Sequence, residues 1–299
     1  MKVLLTGSAG QLGQALLASK PEEVDLIPTS RGGGQDFLAL DLADPDACRD
    51  MVREYRPDWV LNAGAYTAVD QADSQPEVAH AVNAVAPRAF GEALLETDGR
   101  LLQVSTDFVF NGQQGFPYGL EQKRDPLGVY GRTKAGGEEA VEQLLVVGGR
   151  GTILRTSWVY GPVGRNFLLT MLRLHRERKQ LKVVADQVGC PTSTHSLAMA
   201  CWALVDWDSQ ANLPSWLHWS DAGVASWYDF AVAIGELASS KSLVERAAEV
   251  IPITSAEYPT PAQRPSYSLL DCTRTRQLLG LSAEHWRHAL ESVMADVEI

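Results

Sequence analysis

Short unbroken apolar runs recur along the first half of the chain, separated by stretches whose apolar residues fall at helical spacing. Lys2 to Thr6, Val24 to Thr29, Trp59 to Asn62, Arg100 to Thr106 and Ile153 to Trp158 are such runs, and each reads as a strand. A continuous rather than alternating run suits a strand covered on both faces. Between them, Gln14-Ala15-Leu16-Leu17 opens a helix, and Asp44-Pro45 supplies an N-cap and a first-turn proline for another. Pro76 opens a long helix reaching about Glu96. Strands alternating with helices at this interval predict an α/β fold on a doubly wound parallel sheet. After Pro162 the regularity breaks. A basic-ended amphipathic helix is predicted over 166–179, then a loop at Cys190 to Ser193 leading to a helix near His195. A tryptophan-rich stretch follows from Asn212 (Trp216, Trp219, Trp227), with a helix over 226–240. Residues 252–265 read as extended and proline-rich, and two short helices close the chain around Leu278 and Ala289.

The turn after the first run is Gly7-Ser8-Ala9-Gly10-Gln11-Leu12-Gly13. A glycine-rich turn between strand and helix is where backbone N–H groups cradle a pyrophosphate. Gly7 permits the tight turn, Gly10 lets the backbone approach the phosphates, and Gly13 lets the helix pack close on the strand. The sheet is thereby expected to be Rossmann-like, with a dinucleotide-binding domain over 1–165. Residues 166–299 are expected to form a smaller substrate-binding lobe interleaved with returns to the main sheet. Where an acid would hold the ribose 2′-hydroxyl of NAD, the second strand ends Thr29-Ser30-Arg31. A hydroxyl followed by a guanidinium suits the 2′-phosphate of NADPH instead. Asp41-Leu42 stands where the Asp41 side chain would reach an adenine amino group. Ala63-Gly64-Ala65, after the third run, is small enough for a cofactor to lie over it.

The fourth run carries Val104-Ser105-Thr106-Asp107, and Tyr130-Gly131-Arg132-Thr133-Lys134 follows. A tyrosine and a lysine four apart lie on one face of a helix. A phenol titrates near 10 unperturbed, and a neighbouring ammonium is expected to pull it towards working pH. Thr106, at the end of its strand, is placed to hold a carbonyl oxygen against that phenol. Tyr130, Lys134 and Thr106 are therefore the catalytic candidates.

Composition narrows the partners. With 45% hydrophobic residues a sizeable core is expected, and the formal net charge of −11 argues against a nucleic-acid binder. Cys48, Cys190, Cys201 and Cys272 have no paired spacing, so neither disulfides nor a zinc site is expected. His285 and His288 lack a third ligand and read as packing or surface residues. The opening run is too short and too soon broken by glycine for a signal peptide, and no apolar run approaches a membrane span. A cytoplasmic protein is expected. The G-x-S-x-G elbow and the P-loop are absent from the sequence.

These features make the chain resemble an extended short-chain dehydrogenase/reductase. Four phrases narrow the resemblance: Asn62-Ala63-Gly64-Ala65-Tyr66-Thr67-Ala68-Val69-Asp70, Arg155-Thr156-Ser157-Trp158-Val159-Tyr160, Asp186-Gln187-Val188-Gly189-Cys190-Pro191-Thr192 and Tyr258-Pro259-Thr260-Pro261-Ala262-Gln263-Arg264-Pro265. Together they resemble the dTDP-4-dehydrorhamnose reductase family. The resemblance implies reduction of the 4-keto group of dTDP-4-dehydro-L-rhamnose by NADPH or NADH, the last step of dTDP-L-rhamnose synthesis. It implies Tyr130 as proton donor, Lys134 as its partner and ligand of the nicotinamide ribose, and Thr106 as orienter of the keto group. Trp158 and Thr67 would line the sugar pocket, with Asp107 beside Thr106. Gly10-Gln11-Leu12, Asp41-Leu42 and Ala63-Gly64-Ala65 would contact the cofactor. Tyr66 and Ser30-Arg31 depart from the family pattern, which often has histidine and an acid there; the second departure favours NADPH. Some members dimerise through magnesium held by glutamates; no such ligands are assigned here, and monomer and homodimer both remain open. For a dianionic sugar nucleotide on an acidic protein, local donors are needed. Arg264, braced by Pro265, and Asn166, at a helix N-terminus, are the candidates. Rival readings are a nucleotide-sugar epimerase or dehydratase and a non-catalytic regulatory subunit of the same fold. Asp107-Phe108, where dehydratases place two acids, and the presence of Thr106, Tyr130 and Lys134 favour reduction.

Overall fold

The computed structural model describes residues 1–207, 214–282 and 284–297. Asn212, the expected start of the tryptophan-rich stretch, lies outside them. The expected runs are strands β1 (Lys2–Thr6), β2 (Asp25–Ser30), β4 (Trp59–Asn62), β5 (Arg100–Thr106) and β6 (Gly151–Thr156), with a two-residue β3 (Leu38–Ala39) after β2. Shorter strands follow: β7 (Val159–Tyr160), β8 (Gln180–Val184), β9 (Val188–Gly189), β10 (Thr192–Ser193), β11 (Trp216–Trp219), β12 (Ala225–Ser226) and β13 (Glu249–Ile253). β11 returns to the main sheet, giving seven parallel strands in the order β11-β6-β5-β4-β1-β2-β3. The order reverses between β1 and β4, the crevice where such sheets bind dinucleotides. The expected doubly wound, Rossmann-like α/β fold is the one found.

The helices are α1 (Gln11–Ala18), α2 (Pro45–Tyr55), α3 (Val69–Ala72), α4 (Pro76–His80), α5 (Ala86–Thr97), α6 (Val129–Val141), α7 (Phe167–Glu177), α8 (Thr194–Val205), α9 (Trp227–Ser240), α10 (Thr273–Leu279) and α11 (Trp286–Ala295). Alternate residues of the strands feed two cores. Val3, Leu5, Leu61 and Leu154 pack under α1 and α8, while Leu4, Val60, Leu101 and Ile153 pack under α2 and α5. A third core joins α7, α9, α11 and β8 around Leu172, Phe230, Ile234 and Leu290. Each fully buried leucine of this kind stabilises the fold by roughly 1.5–3 kcal/mol.

Two expectations need correction. The helix from Pro76 to about Glu96 is interrupted by a π-helical turn, Ala81–Val85, between α4 and α5. Pro87 explains it, because it has no N–H to close an α-helical bond on the carbonyl of Asn83, four residues earlier. Residues 252–265 are not simply extended either: β13 ends at Ile253, and a 3₁₀ turn over Ser255–Glu257 follows, closed by reciprocal bonds between Thr254 and Glu257.

Candidate active site

The glycine turn is shaped by contacts that no side chain could share. Gly7 has φ +69°, and a Cβ there would lie 2.6 Å from Gly64 Cα; a Cβ on Gly13 would lie 2.2 Å from Gly7 O. Glycine thus presses β1, α1 and the end of β4 together at the reversal point. α1 begins after Gly10 with no side-chain cap, so its first amides face outward from an exposed turn. Uncapped helical amides at a strand's C-terminal edge are what a pyrophosphate requires, and the residues present fit NADPH. The Gln11 side chain is otherwise occupied, bonding Val159 O at 3.1 Å and Asn166 Nδ2 at 3.1 Å, so only its backbone is open to a cofactor. Leu12 is buried in the core, and Leu42 packs over Gly64. Ala63 and Ala65 flank Gly64, half-buried. Ser30 Oγ donates to Gly33 O, and Arg31 is 74% exposed with Asp41 3.9 Å away. That loose pair leaves the guanidinium free to turn toward an added phosphate.

Beyond β5, Thr106 caps a 3₁₀ turn (Asp107–Val109), accepting from Phe108 N at 3.2 Å and donating to Asp107 Oδ1 at 3.0 Å. Gly131 brings α6 onto this turn, since a Cβ would sit 2.3 Å from Phe108 O. The Tyr130 ring then meets Phe108 edge-on at 5.5 Å and its hydroxyl reaches Thr106. Burial pushes the Tyr130 phenol up to about 12; hydrogen bonding by Thr106 opposes the shift and the charge of Asp107 adds to it. This corrects the expectation that the Lys134 ammonium lowers it. Lys134 Nζ is drawn instead to Val104 O at 2.8 Å, and burial lowers its own pKa to about 8 against the pull of Glu138. Asp107 is buried beneath Thr106 rather than facing solvent, and burial raises it to about 6 against hydrogen bonds from Ser268 and Thr106.

A polar seam runs under the site. Thr6 Oγ1 accepts from Gly64 N at 3.0 Å and donates to Asn62 Oδ1 at 2.6 Å. Asn62 Nδ2 donates to Gln103 Oε1 at 2.7 Å, and Gln103 Nε2 to Val104 O at 2.8 Å, the carbonyl that also holds Lys134. The Gly64 edge of the sheet and Lys134 therefore share one hydrogen-bonded path.

Of the substrate candidates, Thr67 is exposed at the rim after β4. Trp158 leaves β6 with φ +47° and stacks on Trp227, centroids 3.6 Å apart and 6° from parallel. Trp227 is fixed in turn by Gln187 Oε1 at 3.2 Å. Two candidates are committed elsewhere. The Arg264 fork grips Asp70 through two bonds of 2.9 and 2.8 Å, with Thr260 Oγ1 at 2.6 Å, so it is not a free fork for a diphosphate. Asn166 caps α7, accepting from Leu169 N at 3.0 Å, and its amide donates to Gln11, Gly161 and Val163. Sequence reasoning missed Asn83, which holds Tyr66 N and O and bonds Thr133 Oγ1, and Glu138, four residues beyond Lys134. Both carried a signal: a poor helix former inside a helix, and an acid on the buried face.

Residues 1–299 match the family described as RmlD substrate binding domain. A dTDP-4-dehydrorhamnose reductase from Aggregatibacter actinomycetemcomitans is 36% identical, with 99% of this chain and 99% of the relative covered. A crystal structure of a dTDP-4-dehydrorhamnose reductase from Clostridium acetobutylicum ATCC 824 superposes with a TM-score of 0.88 at 35% identity, covering 99% of each chain. One from Bacillus anthracis str. Ames, in complex with NADP, gives 0.87 at 32% identity and the same coverage. With a site built on Thr106, Tyr130 and Lys134 beside an open glycine turn, and with relatives matched end to end, the chain belongs to the dTDP-4-dehydrorhamnose reductase family.

Proposed function

We propose that this protein reduces the 4-keto group of dTDP-4-dehydro-L-rhamnose to give dTDP-L-rhamnose, with NADPH as the preferred cofactor, in the cytoplasm. The observation that carries the reading is the convergence of Tyr130 and Thr106 at the C-terminal edge of β5, beside the glycine turn. NADPH, when bound, supplies the hydride. The Thr106 hydroxyl, turned from Asp107 to the substrate, holds the keto oxygen, and Tyr130, protonated across the neutral range, donates its proton to that oxygen. Lys134 holds the nicotinamide ribose and keeps a positive charge beside the developing alkoxide. Gly10, Gln11 and Gly13 offer backbone to the pyrophosphate; Ser30 and Arg31 serve the 2′-phosphate, and Asp41 the adenine. Thr67 and the Trp158–Trp227 stack line the sugar pocket, with residues 166–299 read as the substrate-binding lobe. The cytoplasmic reading is supported by four cysteines, all free and buried.

The test is NADPH consumption with dTDP-4-dehydro-L-rhamnose. Stoichiometric oxidation with formation of dTDP-L-rhamnose is expected. Cofactor that stays bound while the sugar is epimerised would replace this reading with that of an epimerase.

A further inference from the structure

Glu138 lies one helical turn beyond Lys134, on the same face of α6. It is completely buried, and so is Arg155 on β6. Arg155 Nε and Nη2 grip the two Glu138 oxygens at 2.9 and 2.7 Å, and Ser105 Oγ donates to Oε1 at 2.6 Å. Ser105 stands between Thr106 and Val104, whose carbonyl holds Lys134. Arg124, half-buried in the loop before α6, adds a bond to Glu138 Oε2 at 3.5 Å while pairing with Glu142 at 2.9 Å. Arg155 is sandwiched between the Phe110 and Trp216 rings, at 5.0 and 4.7 Å. Both oxygens of this buried acid are thus held by charged or hydroxyl donors.

We propose that Glu138 is a positioning residue for the reduction: its buried carboxylate is the counter-charge that keeps Lys134 an ammonium, with Arg155 and Arg124 setting how much of that charge Lys134 feels. The proposal deepens the reductase reading and rests on it. Burial alone drives Lys134 toward the neutral amine, and the acid that opposes this is Glu138. Other charged groups approach α6 from its neighbours. Asp107 lies in the turn after β5 and acts on Tyr130, Asp70 on α3 is committed to Arg264, and His80 stands at the end of α4. Arg155 and Arg124 push Lys134 the other way by neutralising Glu138. A scaffold would only need the carboxylate's shape; a counter-charge predicts opposite signs for removing the acid and removing its cations.

The experiment follows the ¹³Cε resonance of Lys134 in ¹³C-lysine-labelled protein over pH, assigned by its loss in Lys134→Arg, beside the alkaline limb of kcat. Glu138→Gln is expected to lower the Lys134 midpoint by about half a pH unit or more. Arg124→Met, at a half-buried position, is expected to raise it, and the alkaline limb to follow in both. Midpoints that stay put, or move in the same direction, overturn the proposal; should Glu138→Gln fail to fold, the direction in Arg124→Met decides it. Opposite midpoint shifts in a protein that never oxidises NADPH would refute the reductase reading and leave the action of Glu138 on Lys134 standing.

Discussion

A phenol that is to give up a proton must first hold one, and burial leaves Tyr130 neutral well above working pH. Tyr130→Phe is expected to fold and bind NADPH but to lose about 10²–10⁴-fold in kcat, measured by NADPH oxidation, because that is what a positioned acid contributes. The pH limit of turnover then belongs to Lys134. Its pKa is depressed to about 8, so its charge is present below that value and lost as pH rises through it. The expected kcat profile is flat through neutrality and falls above about pH 8; a limb that appears only near pH 10 would assign the titration to another group. Arg31 is tested by comparing cofactors. A charge-assisted bond contributes about 1.5–3 kcal/mol, so kcat/KM for NADPH should exceed that for NADH about ten-fold or more, and Arg31→Ala should erase the difference. At this scale the sequence was legible where placement depends on local spacing, as in the single helical turn of α6 that separates Tyr130 from Lys134. It misassigned Arg264 to a diphosphate, because the partner that holds it, Asp70, lies 194 residues away in the chain. Nothing in Gln263-Arg264-Pro265 distinguishes a fork awaiting a diphosphate from one already holding a carboxylate.

Elements were legible in their cores and obscure in their joints. The apolar runs of β1, β4 and β5 announce themselves, whereas β11 reads only as a tryptophan-rich stretch, because His218 breaks the apolar run of Trp216 to Trp219 after two residues. The π turn at Ala81–Val85 depends on Pro87, one proline that also suits a first helical turn and so gave no warning. The joint between β11 and α8 carries its own test. Buried Asp221 accepts from Ser193 N at 2.9 Å and from the Ser196 hydroxyl, fastening the end of β11 to the start of α8. Burial raises its pKa from 3.8 to about 6. A carboxyl with a raised folded pKa contributes stability that is full below the unfolded value and lost as pH rises through the folded one. The unfolding free energy of wild type relative to Asp221→Asn is therefore expected to fall between about pH 4 and pH 6, by up to about 3 kcal/mol, in urea titrations at each pH. A constant difference would mean that Asp221 does not titrate in that range.

Across the whole molecule, the Asp70–Arg264 pair ties the α3 segment, just after the cofactor edge, to the proline-rich segment 258–265. The pair is partly exposed, so its coupling is expected to be about 1 kcal/mol at low salt in a double-mutant cycle of Asp70→Ala and Arg264→Ala. Hydrogen bonding by Arg264 holds Asp70 below the usual carboxylate range. The coupling is thus full above the unfolded carboxylate pKa and lost as pH falls through the lower folded value. A cycle with no coupling at neutral pH would assign the segment's placement to Pro265 packing on Gly112 instead. The polar seam beneath the site bears on how the sheet is assembled. In a strand, shifting by one residue sends every side chain to the opposite face. Were β4 to slip one place between β1 and β5, Asn62 would leave Thr6 and Gln103 at once, stranding their buried amide and hydroxyl groups at about 1–3 kcal/mol each. Leucines and valines on either side would forgive that slip, since one apolar residue can replace another. The row Thr6–Asn62–Gln103 would not, and so it acts as a tally that only the native order and register of the three central strands can close.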